Sequence, residues 1–159
     1  MLLESVVLIP VLVLLFVGGM EIGKVVLSYY TLQKGMRGAA RMAGVLRGAN
    51  FCDPDDVQIT AIKNFIVYGP DGNTASPLVR SLTTDQIVIT PERADPDNGG
   101  IGACECSGPD GCLVSDGGRQ PDYVLISIDG GYSFTVRLPF RTPETILLRP
   151  HVRVPFAGQ

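Results

Sequence analysis

Tryptophan is absent from this sequence of 159 residues, and histidine occurs once, as His151. A single histidine cannot supply the imidazole ligands of a His-based metal site. His151 would also have to serve in any Ser–His–Asp triad, but no G-x-S-x-G pentapeptide accompanies it. The glycine-rich stretches lack the strand-to-helix context of phosphate-binding loops. We therefore expect no enzyme and no bound cofactor.

Recognisable metal motifs are missing as well. Residues 94–102, ADPDNGGIG, carry oxygens that could hold calcium, but they lack the D-x-D-x-D-G order of an EF-hand loop. Asp53, Asp55 and Asp56 form a second acidic group, which helix capping explains. The sequence predicts no metal site.

Basic residues are scarce beyond residue 50. Residues 1–50 contain five basic and two acidic side chains, whereas residues 51–159 contain eight basic and fourteen acidic ones. An acidic globular part lacks the positive surface that nucleic acids require. We expect no nucleic-acid partner.

The N-terminal apolar run has neither a basic segment before it nor an A-x-A site after it, so it does not read as a secretory signal peptide. Residues 2–20 contain one charged side chain, Glu4. As a helix they would measure about 28 Å, close to the hydrocarbon thickness of a bilayer. The run predicts a transmembrane helix.

The helical pattern continues beyond this run. Glu21 and Lys24 are spaced for an ion pair at the membrane interface, and Pro10 removes one backbone hydrogen bond within the apolar run. Apolar residues then recur every three or four positions, which predicts one helix over residues 2–48. These positions are Ile22, Val25, Tyr29, Leu32, Met36, Ala39, Ala43 and Leu46. Small residues near its end would allow close packing on the protein's own globular part, on neighbouring helices, or on both.

Four cysteines, Cys52, Cys104, Cys106 and Cys112, predict two disulfides and an oxidising compartment. Cys104 and Cys106 are poor partners for each other, because their side chains point apart in an extended chain. We expect Cys52 to pair with one of them and Cys112 with the other. Their spacing is not that of a zinc ribbon.

The globular part begins with a predicted helix near residues 54–68, with Asp53 as N-cap, Pro54 as its first residue and Gly69 as its end. YGPDGN at 68–73 predicts a turn. Residues 86–91 predict a short strand, and residues 92–121 a long loop held by disulfides.

The last forty residues predict β-structure. Residues 123–128 and 132–138, joined by DGG, predict a hairpin. Residues 145–155 predict a last strand broken at Pro150. The expected fold is α+β: a long N-terminal helix over residues 1–50 and a disulfide-stapled domain over 51–159 with an antiparallel sheet of three to five strands.

The stretch ESVVLIPVLVLLFVGGMEIGKVVLSYYTLQKGMRGAARMAG resembles the N-terminal helix of TadE-like pseudopilins, the larger pilin-like subunits of tight-adherence (Tad, Flp-type) pili in the type IV filament superfamily. The shared features are an early Glu, a Pro within the apolar run, an E-x-G-K motif at its end and an alanine-rich segment. The resemblance implies a pilin-like fold, with the sheet packed on the second half of the helix.

The resemblance also implies roles for particular residues. A prepilin peptidase removes a short basic leader, and Glu4 then neutralises a free N-terminal amine as the helices bundle. The acidic residue is usually fifth in this superfamily and is fourth here, so the processing point relative to Met1 stays open. The residues expected to act in processing and assembly are Met1, Glu4, Pro10, Glu21 and Lys24.

The expected function is that of a minor pilin or pseudopilin that supports pilus biogenesis and adhesion. Its partners would be other pilin subunits, the inner membrane before assembly, and the peptidase. Basic residues after the apolar run would by themselves place the C-terminal part in the cytoplasm, but the cysteines favour the outside, and a removed basic leader reconciles the two. The alternative is a membrane-anchored periplasmic binding or sensor domain that does not assemble.

Overall fold

The computed structural model describes residues 2–70, 76–95, 99–108, 110–136 and 142–158, and for residues 2–7 it describes the backbone alone. Its first element is helix α1 (Leu2–Ala43), which passes through Pro10 without ending. With 42 residues, α1 is about 63 Å long. The long N-terminal helix is therefore confirmed.

The predicted end of this helix at residue 48 is wrong, because α1 ends at Ala43. Beyond it the hydrogen bonds shorten: the Val45 and Leu46 amides donate to carbonyl oxygens three residues back. The Gly44 carbonyl oxygen instead accepts a hydrogen bond from the Ala157 amide at 2.8 Å. The C-terminal segment thus takes up a helix-end carbonyl that a further turn would have used.

Helix α2 (Val57–Tyr68) is confirmed, but its predicted N-cap is wrong. The carboxylate of Asp56 caps the helix, accepting from the amides of Gln58 at 2.7 Å and Ile59 at 3.3 Å. Asp53 accepts instead from the Asp55 amide at 3.0 Å, which closes a local turn before the helix. Gly69 ends α2 as expected, with φ near 90° and its N–H bonded to the last turn.

Six strands are described in the globular part, together with two short 3₁₀ helices (Thr84–Gln86 and Val114–Asp116). The strands are β1 (Ile87–Ala94), β2 (Ile101–Ala103), β3 (Tyr123–Ile128), β4 (Tyr132–Val136), β5 (Glu144–Leu148) and β6 (His151–Pro155). They form an antiparallel four-stranded sheet in the order β2-β1-β3-β6 and a separate β4-β5 pair. The α+β class with a small antiparallel domain is confirmed.

The predicted hairpin between residues 123–128 and 132–138 is wrong. Both strands exist where described, but β3 pairs with β1 and β6, whereas β4 pairs with β5. Two consecutive glycines with positive φ, Gly130 and Gly131, turn the chain out of the first sheet. The break at Pro150 is confirmed, since it separates β5 from β6.

The predicted loop over residues 92–121 is wrong in part. β1 extends to Ala94 and forms a hairpin with β2, with Glu92 opposite Ala103. Residues 96–98 and 109 lie outside the described residues, as do 71–73 of the predicted YGPDGN turn and the last two residues of the strand predicted at 132–138.

One hydrophobic core joins the second half of α1 to the rest of the head, meaning residues 44–158. Leu32, Met36 and Ala39 lie on the buried face of α1, and Val124 and Ile126 on that of β3. The apolar stripe predicted on the helix is thus buried from Leu32 to Ala43, where it forms the surface on which α2 and the sheet pack.

Candidate functional site

The first half of α1 is an apolar surface that no other described residue covers. The segment from Leu8 onward is long and apolar enough to cross a membrane, and its most apolar stretch has no buried residue. The large exposed side chains of this half are Leu8, Ile9, Val11, Leu12, Val13, Leu14, Leu15, Phe16, Met20, Ile22, Val26, Leu27, Tyr29 and Tyr30. This surface needs either lipid or other helices around it.

A single ion pair marks the charged end of this surface. Lys24 Nζ lies 2.5 Å from Glu21 Oε1, one helical turn away. The Lys24 side chain is 62% exposed and that of Glu21 13%. This is the pair that the spacing predicted.

The residues expected to act in assembly lie along one helix and do not gather into a cluster. Glu4 is in the first turn of α1, and Pro10 is exposed within the helix. Twenty residues separate Glu4 from Lys24, which corresponds to about 30 Å of helix. Met1 lies outside the described residues. Such an arrangement suits contacts along a helix rather than chemistry at one point.

The glycines in the second half of α1 serve α2. A Cβ on Gly38 would lie 2.9 Å from the Phe65 ring, and one on Gly35 would lie 3.4 Å from the Ile66 carbonyl oxygen. These small residues let α2 approach α1 closely. Their role is therefore internal packing, one of the two roles that the sequence left open.

Two disulfides close the head: Cys52–Cys106 and Cys104–Cys112. The first ties the segment after α1 to the chain beyond β2. The second closes a short loop within that chain. All four cysteines are used, which confirms the prediction of two disulfides.

Arg93, which the sequence analysis did not single out, organises the loop beside the second disulfide. Its guanidinium donates to the carbonyl oxygens of Asp110 at 2.5 Å, Gly111 at 3.1 Å and Arg119 at 2.6 Å. A planar cation with several N–H groups suits convergent carbonyl oxygens. Its position in a strand gave no sequence signal of this role.

Glu92 and Arg153 form an ion pair that the sequence analysis also missed. Glu92 is 5% exposed and is the one buried charged side chain among the described residues. Arg153 on β6 reaches it across β3, with Nε 2.5 Å from one carboxylate oxygen and Nη2 3.0 Å from the other. The hydrogen bonds to Glu92 raise the pKa of the Arg153 guanidinium above its usual value. This pair binds the two strands that flank β3.

A groove of about 530 Å³ lies between the second half of α1 and the end of α2. Its lining combines apolar side chains with three cations. The side chains of this basic groove that matter below are Tyr30, Lys34, Arg37, Arg41, Phe65 and Leu78. The three cations are exposed and form no salt bridge within the described residues.

His151 begins β6, where it is exposed and lies opposite Ser127 in the strand register. A cavity of about 410 Å³ beside it is lined by Ser127 and Arg149, with no carboxylate among its described lining residues. This arrangement lacks the acid that orients the histidine of a triad. No group of three metal-ligating side chains occurs among the described residues.

Taken together, the helix and head define a pilin-like protein: an apolar helix half, a packed helix half and a small disulfide-bonded β-domain. A family model described as "TadE-like protein" matches residues 1–41. The match confirms the resemblance over most of α1, and TadE-like proteins form a structural, pilus-related family. No curated protein and no solved structure gave a significant match to the chain.

Proposed function

We propose that this protein is a minor pilin or pseudopilin of a Tad-type pilus that assembles through the first half of α1. The observation that carries the proposal is the unbroken apolar surface from Leu8 to Tyr30, left bare by a head that packs only farther along the helix. The family match to residues 1–41 supports a Tad pilus-associated protein. In a filament, the helices of neighbouring subunits would cover this surface.

Before assembly, the same surface would hold the protein in the inner membrane. The head would lie outside the cytoplasm, because two disulfides are stable in an oxidising compartment. The Glu21–Lys24 pair would lie at the interface between lipid and water. Extraction into the pilus would then exchange lipid for neighbouring helices, with the head facing outward to support adhesion.

Glu4 would decide whether the helices bundle. A carboxylate among apolar helices is stable only when it is paired. We propose that its partner is an N-terminal amine, its own or a neighbour's, set free when a prepilin peptidase cleaves at or near Met1. Pro10 leaves one carbonyl oxygen in the apolar half without its usual donor, and neighbouring helices would enclose it.

The test separates sheared filaments from membranes and measures the N-terminal mass of the protein in each. We expect a processed N-terminus in the sheared fraction and loss of the protein from that fraction on Glu4→Ala substitution. Asp116→Ala, which removes an exposed carboxylate on the head, is the control and should leave assembly unchanged. An unprocessed chain found only in membranes, indifferent to Glu4, would refute the proposal and favour the membrane-anchored periplasmic binding or sensor domain.

A further inference from the structure

The two ends of α2 carry surfaces of opposite charge. At its start, Gln58 lies beside the residues after α1, with Nε2 3.4 Å from the Arg47 carbonyl oxygen. Near its end, Ile66 lies against Gly35. The helix therefore runs antiparallel to α1, and its start is the end farther from the apolar half. With 12 residues, α2 separates the two surfaces by about 18 Å.

The surface at the start of α2 is an acidic turn, defined here as residues 53–57. Asp53 and Asp55 are exposed and form no salt bridge within the described residues. Val57, directly after them, is 83% exposed, the highest value among the large hydrophobic side chains of the described chain. An exposed apolar side chain beside two carboxylates has the form of a binding element.

The surface at the end of α2 is the basic groove. Lys34, Arg37 and Arg41 project from successive turns of α1 along one wall. Phe65 and Leu78 provide an apolar opposite wall, and Leu78 is half exposed. The groove thus offers an apolar site with cations beside it, which is the complement of the acidic turn in both charge and polarity.

We propose that the acidic turn of one copy docks into the basic groove of a second copy, with Val57 against Phe65 and Leu78 and the two carboxylates facing the three cations. This contact rests on the proposed assembly role and names the head surfaces that would meet in it. The two surfaces are different and lie at opposite ends of α2, so the contact is head-to-tail. Repeated contacts of this kind extend into a filament when the rotation does not close.

The position of the groove disfavours anionic lipid as its occupant. Lys34 lies fourteen residues beyond Met20, the end of the uncharged run. At ~1.5 Å per residue, this places it about 21 Å along the helix. That distance is more than twice the Debye length of ~8 Å at physiological ionic strength. The cations are therefore placed for a protein partner beyond the membrane surface.

The test places a photocrosslinker in the acidic turn of the full-length protein in cells, as Val57→p-benzoylphenylalanine, beside a second, epitope-tagged copy. We expect an adduct between the two copies whose peptides map to residues 30–41 or 65–78. Arg37→Glu in the tagged copy should lower the adduct yield about tenfold, because a like charge replaces an opposite one at close range. Asp55→Arg in the crosslinking copy should restore the yield with Arg37→Glu and lower it with the wild-type groove.

Arg149→Glu is the matched control, since it makes the same charge change at an exposed site outside the groove, and it should leave the yield unchanged. Disulfide formation on a non-reducing gel identifies variants that fold. Adducts that map elsewhere, to another protein or to lipid, or that survive Arg37→Glu, would overturn the docking proposal. The proposed function is judged separately, from the presence of the wild-type chain in sheared filaments.

Discussion

The Cys52–Cys106 disulfide should contribute more stability than Cys104–Cys112, because it spans 54 positions of chain rather than 8. The chain-entropy relation gives about 4 kcal/mol for the longer loop and about 2.5 kcal/mol for the shorter one. The difference depends only on the logarithm of the ratio of loop lengths, and is about 1.7 kcal/mol. Serine pairs, Cys52→Ser with Cys106→Ser and Cys104→Ser with Cys112→Ser, remove each disulfide in turn.

Pulse proteolysis of the full chain in mild detergent, across a series of urea concentrations, would report the folded fraction of the head. With a urea dependence of ~1–3 kcal/mol/M for a small domain, the long-loop variant should unfold about 1 M earlier than the short-loop variant. After reduction, the wild type and both variants should unfold together, which controls for the serine substitutions. An equal loss in both variants, or a larger loss for the short loop, would refute the chain-entropy argument and assign the stability to native contacts around Arg93.

Two further predictions concern buried polar groups of the head. Burial raises the pKa of Tyr132, so above about pH 10 the unfolded state ionises first and stability falls as pH rises; urea midpoints at pH 8–11 should show a steeper fall for the wild type than for Tyr132→Phe. Arg153→Met leaves Glu92 buried without its partner and should lower the melting temperature, whereas adding Glu92→Met should restore at least part of the loss. A double variant no more stable than the single one would contradict this account of the pair.

The long helix, the cysteine pairs and the end of α2 were predictable because each depends on local chemistry. An apolar run of bilayer length, a repeat of three and four, and a glycine after a helix all act within a few residues. Even so, the N-cap was misplaced, because Asp53 and Asp56 carry the same sequence signature. What decides between them is that Asp53 closes a turn with Asp55, and only the three-dimensional arrangement shows this.

The pairing of strands was not predictable from the same local rules. DGG between two alternating runs is the usual signal for a hairpin, yet β3 finds partners on both sides from β1 and β6. With both of its edges occupied, β3 has no edge left for β4. The charged residues in β1 gave no signal either, because the carbonyl oxygens that Arg93 binds and the carboxylate that Arg153 reaches come from distant parts of the chain.

The length of the bare apolar surface favours assembly over simple anchoring. The stretch from Leu2 to Tyr30 has 29 residues, or about 43 Å of helix, against a bilayer core of ~30 Å. A typical tilt of ~20° shortens its projection only to about 40 Å. An anchor alone would therefore leave about 10 Å of this surface, including Val26 and Leu27, outside the hydrocarbon. The helix of a neighbouring subunit could cover it over its whole length, because its own apolar surface has the same extent.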